Sequence, residues 1–329
     1  MLGQKAATCG AGARWVFSTL IMLAALVPAY AEPYPEHPVR VLVGYAAGGG
    51  PDLQARTLAA QLGINLGQQF FVENRVGANG TLAARALAQA KPDGYTLMFT
   101  SNGIAPVPHI YKNPGFDVFG DITPVATIGV LDGLFMLVDN TSPYMTLQQF
   151  IAHAKKDRAI YGSPGVGNGL HLAAELFSKK AGVSMQHVPY KGAGEVMTGM
   201  LSGSIEVMFV TPPSVMGLLK EGRVRALAFT GNKPFPAFPD VPLMKDMLPG
   251  FEPIGSWGMF FVPAKTPPEI VEKLNVEIRT ALKEPKVASV MQRDGYLPDE
   301  RGVAETAAFF RKEVEAMGEA VKAAGIEPQ

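Results

Sequence analysis

Short apolar segments alternate with amphipathic segments along most of the chain, which predicts strands separated by helices. The strand candidates are brief runs of Val, Ile, Leu and Phe, and several of them are followed by glycine-rich loops. They cover residues 39–43, 95–99, 135–138, 160–161, 187–188, 205–210 and 224–229. This alternation predicts an α/β fold with parallel strand pairing.

Helix signals fall between these strands. Asp52 begins one predicted helix, and two more are predicted at residues 170–180 and in a segment that ends at Leu201. Thr146 and Gln149 have the spacing of a capping box, so a further helix is expected to begin there.

The tail after Pro267 is predicted to be mostly helical, with no strand beyond residues 261–262. The apolar positions that share one face of its first helix are Ile270, Leu274, Ile278 and Leu282. Such helices need a sheet to cover, and the first part of the chain can supply one. We therefore expect a signal segment at 1–31, a first domain at 32–132 plus 253–329, and a second domain at 133–252.

The N-terminal segment has the pattern of a cleaved secretory signal. Lys5 and Arg14 precede or border an apolar run at 15–27, which is shorter than the roughly 20 residues of a membrane span. Ala29-Tyr30-Ala31 then predicts cleavage after Ala31, so that the mature chain begins at Glu32 in the periplasm. Because Cys9 precedes the apolar run, no lipid anchor is expected, and the mature chain would contain no cysteine.

Charge argues against nucleic acid and anionic membranes as partners. The chain has 29 basic and 29 acidic residues, and removal of Lys5 and Arg14 with the signal leaves 27 against 29. No basic run remains that could follow a phosphate backbone. A mature chain of about 298 residues is also close to the size at which one core divides into two domains.

One arrangement occurs three times: a strand, a glycine-rich loop and a helix start, near residues 44–52, 161–170 and 188–196. A helix N-terminus leaves backbone N–H groups unpaired, and glycine lets a ligand approach them closely. Any one of these loops fits an ordinary tight turn, but the three together favour an anion site built from backbone. Three or four charge-assisted bonds, less the cost of association, would give roughly micromolar affinity.

Other kinds of site lack their motifs. The first loop does not have the G-x-G-x-x-G spacing of a dinucleotide site, and neither a P-loop nor a G-x-S-x-G nucleophile elbow occurs. The five histidines show no metal-binding spacing. We therefore predict no cofactor, no metal and no catalysis.

Four side chains have two possible roles. His171 is interpreted as a structural hydrogen-bonding residue, with ligand contact as the alternative. Lys191 is either a solvated or paired lysine or a direct partner of an anion. Asp52 is interpreted as a helix cap rather than a catalytic acid. Trp257 either lines a cleft or fills a core.

The ordered motifs resemble one receptor family. The segment Gly44-Tyr45-Ala46-Ala47-Gly48-Gly49-Gly50-Pro51-Asp52 is similar to the first glycine loop of Bug-type receptors, the extracytoplasmic binding proteins of tripartite tricarboxylate transporters. The resemblance continues at 162–172, 188–192, 227–229, 238–242 and 256–263, and so covers essentially the whole mature chain.

This resemblance implies a two-domain periplasmic-binding-protein (Venus flytrap) fold with the ligand in a cleft between the domains. It implies capture of a small carboxylate, which could be a dicarboxylate, an amino acid or an aromatic carboxylate, for the transporter's membrane components by a monomeric receptor. Backbone N–H groups of the first loop and of the Tyr-Lys-Gly loop would hold the ligand carboxylate, partly through water. The expected ligand-binding residues are Tyr45, Ala47, Gly48, Gly49, Asp52, Ser101, Asn102, Ser163, Gly167, Asn168, His171, Tyr190, Lys191, Gly192 and Gly194.

Two departures from the family pattern bear on the substrate. Gly44 and Tyr45 stand where Pro-Phe is common, and Asn168 stands where Ser or Thr is common. A different class of function, an exported hydrolase that uses residues 48–50 as an oxyanion hole, lacks a recognisable nucleophile–base pair. A sensory protein that presents its ligand to a membrane kinase remains compatible with the receptor interpretation.

Overall fold

The computed structural model describes residues 1–4, 34–252 and 254–328. The features expected of the signal, from Lys5 to the cleavage site after Ala31, lie outside the described residues. The chain divides into two compact units, Met1–Glu36 and His37–Gln329, and all the elements described below belong to the second.

Six strands form the first sheet. They are β1 (Val39–Val43), β2 (Phe70–Asn74), β3 (Thr96–Ser101), β4 (Ile122–Leu131), β10 (Ser256–Pro263) and β11 (Tyr296–Leu297), in the order β11-β4-β10-β3-β1-β2. β1 pairs in parallel with β2 and β3. β10 is antiparallel to β3 and β4, and β11 is antiparallel to β4.

Five strands form the second sheet. They are β5 (Phe135–Asp139), β6 (Ala159–Ser163), β7 (Met185–Pro189), β8 (Val207–Val210) and β9 (Val224–Phe229), in the order β7-β6-β8-β5-β9. β6 is parallel to β7 and β8, whereas β5 is antiparallel to β8 and β9. The chain enters this sheet between β4 and β5 and returns to the first sheet between β9 and β10.

Strand pairing corrects two predictions from the sequence. Both sheets are mixed rather than parallel, because β5 and β10 are antiparallel to their neighbours. These are the strands that follow a crossing of the chain between the sheets. The tail also contains a strand, β11, which is only two residues long and therefore has no visible alternation. β4 was not predicted because Pro124 and Gly129 interrupt its apolar pattern.

Helices connect most of the strands. They are α1 (Gly50–Leu66), α2 (Thr81–Ala88), α3 (Val107–Ile110), α4 (Leu147–Ala154), α5 (Gly169–Ala181), α6 (Ala193–Leu201), α7 (Met216–Lys220), α8 (Met244–Met247), α9 (Pro268–Lys283), α10 (Pro285–Arg293) and α11 (Val303–Ala324). The predicted cap of α4 is present, since Thr146 Oγ1 accepts the N–H of Gln149 at 3.2 Å. Among the described residues, no helix has both the length and the apolar character needed to cross a membrane.

The cores explain why the central strands are apolar without interruption. In β5, Phe135 and Leu137 pack into one cluster of buried side chains, and Met136 and Val138 pack into another on the opposite face. Both faces of the second sheet are therefore covered. Of the two roles considered for Trp257, the structure shows the core: its ring is buried against Phe310, and its Nε1–H donates to Glu313 Oε2 at 2.9 Å.

Candidate functional site

The loop between β1 and α1 is held by the carboxylate of Asp52, the third residue of the helix. Asp52 Oδ2 accepts the backbone N–H of Gly48 at 2.9 Å. The same carboxylate accepts hydrogen bonds from Arg56 Nε and from Asn74 Nδ2. The side chain is only 1% exposed, so its oxygens bond to these protein groups rather than to solvent.

Hydrogen bonding keeps Asp52 ionised. Burial alone would raise the pKa of this carboxyl, but the hydrogen bonds from Arg56, Gly48 and Asn74 outweigh burial and hold the pKa below its usual value. Asp52 is therefore a loop-holding anion, and the N-cap position itself is Gly49.

The loop between β6 and α5 is held by Asn168 and His171. Asn168 is the N-cap, and its Oδ1 accepts the N–H of Leu170 at 2.9 Å. His171 Nδ1 accepts the N–H of Gly167 at 3.2 Å. Burial, and secondarily the neighbouring His187, lowers the pKa of His171 to about 3, so the ring is neutral and Nδ1 stays an acceptor.

The loop between β7 and α6 follows the same design. Gly192 is the N-cap, and Glu195, the third residue of the helix, accepts the N–H of Lys191 at 3.2 Å through Oε2. The N–H of Tyr190 donates to the carbonyl of Ser163 at 2.9 Å, which ties this loop to the preceding one. The side chain of Lys191 is exposed and forms no ion pair with any described residue.

All three loops therefore share one side-chain-to-backbone hydrogen bond that the sequence analysis did not identify. The third residue of each helix accepts the backbone N–H of the residue four positions earlier. The acceptors are Asp52, His171 and Glu195. Glu195 was not among the predicted site residues, although its spacing from the glycine loop could have identified it.

These hydrogen bonds leave other backbone N–H groups of the three loops unpaired. In the first loop the N–H of Gly48 is taken by Asp52, and that of Gly49 is taken by Ala46 O at 3.2 Å. The N–H groups with no acceptor among the described residues include those of Ala47, Gly50, Asp52, Val166, Gly169, His171, Gly192, Ala193 and Gly194. They lie at or just before helix N-termini, where the helix dipole and the free donors favour an anion.

Loops from the two sheets meet beside Tyr45. Its hydroxyl lies 2.6 Å from Ser101 Oγ. A Cβ built on Gly103 would lie 2.9 Å from the same hydroxyl and 3.5 Å from Asn168 Nδ2, so all four residues are neighbours. Tyr45, one of the departures from the family pattern, thus directs its additional hydroxyl to the contact between the sheets.

Asn79 forms a second bridge, which the sequence analysis missed. Its Nδ2 donates to the carbonyl of Val166 at 2.9 Å. Asn79 has a left-handed backbone (φ 55°), a conformation that asparagine tolerates better than most residues. Nearby, Asn102 lies against Gly169, where an added Cβ would be 2.8 Å from Asn102 Nδ2.

The predicted ligand residues fall into three groups. Those packed where loops of the two sheets meet are Tyr45, Ser101, Asn102, Gly167 and Asn168. Those exposed or half-buried on the loops are Ala47, Gly48, Gly49, Tyr190, Lys191, Gly192 and Gly194. Those buried and engaged in holding the loops are Asp52, Ser163 and His171.

One serine–histidine pair lies beside the second loop. Ser163 Oγ is 2.7 Å from His187 Nε2, but the serine is fully buried and also bonds to the backbone of Gly165. Burial lowers the pKa of His187 to about 4. A nucleophilic serine needs a hydroxyl that substrate can reach, so this pair stabilises the turn. Nor do the described residues contain a group of three His, Cys, Asp or Glu that could hold a metal.

Comparison with known proteins gives a consistent assignment. Residues 54–326 match the profile of the tripartite tricarboxylate transporter family receptor. The periplasmic binding protein BugD is 30% identical, with a TM-score of 0.84 over 90% of this chain and 100% of its own. A Rhodopseudomonas palustris protein with adipate is 29% identical, with a TM-score of 0.85 over 90% of this chain and 100% of its own. MatC of Rhodopseudomonas palustris with bound malate is 30% identical, with a TM-score of 0.80 over 88% of this chain and 100% of its own.

Proposed function

The chain belongs to the tripartite tricarboxylate transporter receptor family, and from this we propose that it is a solute receptor for a small dicarboxylate. The observation that carries the proposal is the set of unpaired N–H groups at the N-termini of α1, α5 and α6. Two similar proteins have the dicarboxylates adipate and malate as bound ligands, which supports this ligand class.

One carboxylate of the ligand is held by backbone. Gly192, Ala193 and Gly194 offer three successive N–H groups, and Ala47 and Gly50 offer two more. Each charge-assisted bond of this kind contributes about 1.5–3 kcal/mol. The role of the side chains at the third helix positions is to fix these loops.

The far end of the ligand meets polar side chains. The hydroxyls of Tyr45 and Ser101 and the amides of Asn79 and Asn168 lie where loops of the two sheets approach each other. These groups select among carboxylates by what they can donate to or accept from the ligand.

The ligand closes two domains. We assign residues 32–132 and 253–329 to the first domain and 133–252 to the second, so the first and third glycine loops belong to different domains. A ligand that touches both makes contacts in the closed state that the open state lacks, and only such differential affinity drives closure.

The proposal also covers export, oligomeric state and delivery of the ligand. The receptor is exported with cleavage after Ala31, acts as a monomer, delivers its ligand to the membrane components of the transporter, and catalyses no reaction on it. Mass spectrometry of the protein from its native host checks the first point, with a mature N-terminus expected at Glu32 and an intact Met1 contradicting it.

A thermal-shift screen of the purified mature protein tests the ligand class. Dicarboxylates such as malate and adipate are compared with amino acids and aromatic carboxylates at equal concentration. A ligand at 100 times its Kd stabilises the fold by about 2.7 kcal/mol, and a dicarboxylate is expected to give the largest shift.

The outcome that rejects the proposal is the absence of a shift with every carboxylate. Hydrolysis of simple esters by the same preparation would instead support the hydrolase alternative.

A further inference from the structure

A cavity of about 850 Å³ has a lining separate from the residues of the glycine loops. Helices α9 and α10 and strand β11 form one side of it, and residues 212–237, which include α7 and the chain after β9, form the other. None of the residues predicted to bind the dicarboxylate lines it. Its volume is in the range of small-molecule sites in proteins, roughly 300–1,000 Å³.

The apolar side of this cavity is held in place by its neighbours. The ring of Phe235 packs on Phe135 and Phe229 at centroid distances of 5.3 and 5.6 Å. Opposite it, the Tyr296 hydroxyl donates to Gln54 at 3.2 Å. The cavity is therefore lined by side chains that have little freedom to fill it.

The cations and the anions of the lining are unequally paired. Its carboxylates already have partners: Asp132 accepts hydrogen bonds from Asn232, Glu300 pairs with Lys283 at 3.1 Å, and Asp299 pairs with Arg301 at 2.6 Å. By contrast, the cations that form no ion pair within 4 Å among the described residues are Arg279, Lys220 and Lys233. Glu300, whose pKa is lowered chiefly by Lys283, is also close enough to Arg279 for the two charges to interact.

Among these cations, Arg279 gives the clearest indication of an anionic ligand. Its Nε is buried and has no hydrogen-bond acceptor among the described residues. A buried donor on a cation costs free energy unless an acceptor, best an anionic one, is supplied. The apolar lining and the unsatisfied donor of Arg279 together define a ligand with an apolar body and an anionic head.

We propose that this cavity is a second ligand site, which binds a monocarboxylate with an extended apolar body. The carboxylate accepts from Arg279, and the body packs against Phe235, Met291 and Met216. This site goes beyond the proposed function, because it shares no residue with the glycine loops and takes a ligand of different shape. A peptide or a second protein chain is less suited, since the two sides approach closely at Gly295, where an added Cβ would lie 2.7 Å from the Phe235 ring.

Calorimetric titration of the mature protein with octanoate tests the site. Wild type is expected to bind one octanoate and to bind 1-octanol, which lacks the charge, at least about tenfold more weakly. Arg279→Met should weaken octanoate about tenfold, and Arg279→Lys should restore part of the affinity. Ala288→Phe, which places a ring inside the cavity, should abolish binding.

Gly192→Val is the matched control for location, because it changes the glycine-loop site alone and should leave octanoate binding unchanged. Thermal unfolding of each variant establishes that it is folded. No binding of octanoate up to about 1 mM would overturn the proposal. So would binding that is lost in Gly192→Val and kept in Ala288→Phe. Titration of the same samples with malate reports separately on the proposed function.

Discussion

At the scale of single residues, the loops depend on which atoms hold their backbone. Asp52 and Glu195 accept a loop N–H with a carboxylate, but His171 does so with a neutral imidazole. Protonation of Nδ1 would convert that acceptor to a donor and break the bond to Gly167. The second loop is therefore the acid-sensitive one.

Acid should destabilise the protein through this histidine and its neighbour. The folded pKa values of His171 and His187, about 3 and about 4, lie below the value of about 6.5 expected on unfolding. Their stabilising contribution is thus complete above pH 6.5 and is lost as the pH falls, down to about 4 for His187 and about 3 for His171. Each can lower the free energy of unfolding by at most about 1.4 kcal/mol per pH unit.

Urea unfolding between pH 7 and pH 4.5 measures this dependence. His171→Asn keeps an acceptor for the N–H of Gly167 but does not titrate, so its stability should fall less steeply with acid than that of wild type. Equal slopes for the two proteins would mean that His171 is not the group that responds to acid.

Residue identity predicted the loops better than it predicted the contacts within them. The glycines of the three loops follow from local rules, but the predicted capping role of Asp52 was wrong, because the N-cap is Gly49 and Asp52 instead accepts the N–H of Gly48. Asn79 was not predicted, because its partner Val166 lies 87 positions away and only the tertiary fold brings them together. Which N–H groups stay unpaired could not be predicted either, since that depends on side-chain acceptors such as Glu195.

At the scale of secondary structure, predictions succeeded where a local signal was strong. The strand at residues 224–229 and the helix end at Leu201 match β9 and α6. β2 and β4 were missed, because β2 ends in polar residues and Pro124 and Gly129 interrupt β4. Both strands are stabilised by pairing with distant strands, which local sequence does not show.

The cap of α4 provides a test at this scale. Thr146→Ala removes the side-chain acceptor for the N–H of Gln149 and should lower the free energy of unfolding by about 1 kcal/mol. Gln148→Ala, at an exposed position in the same turn, is the control and should change stability by less than about 0.5 kcal/mol. Urea denaturation compares them, and equal effects would show that the cap contributes nothing specific.

At the scale of the whole molecule, the alternation of strands and helices predicted the α/β class, and the ordered motifs predicted the two-domain fold. The mixed pairing was not predicted, because strand direction after a crossing between sheets is set by the path of the connecting chain. Polar contacts join loops of the two sheets, such as the hydrogen bond from Asn79 Nδ2 to the carbonyl of Val166.

That contact can be removed without strain. Asn79→Gly deletes the side chain at a backbone position with φ 55°, which glycine adopts readily. Loss of one hydrogen bond between loops of the two sheets should weaken dicarboxylate binding about fivefold, or about 1 kcal/mol. Lys265→Gly makes the same backbone change (φ 69°) in an exposed loop and should leave affinity unchanged. Calorimetry on both variants would contradict the bridging role if their affinities agree.

The central claim is that backbone N–H groups, and not a lysine, hold the ligand carboxylate, and calorimetric titration with malate, or with the carboxylate that the screen selects, tests it most directly. Gly192 has an extended backbone (φ −175°), and a Cβ there meets no protein atom within 4 Å, so Gly192→Val should fold with a loss of no more than about 1 kcal/mol. Its side chain would nevertheless block approach to the N–H groups, and affinity should fall more than about a hundredfold. Lys191→Met should cost about tenfold at most. Loss of binding in Lys191→Met together with wild-type affinity in Gly192→Val would contradict the account and replace the backbone site with a lysine salt bridge.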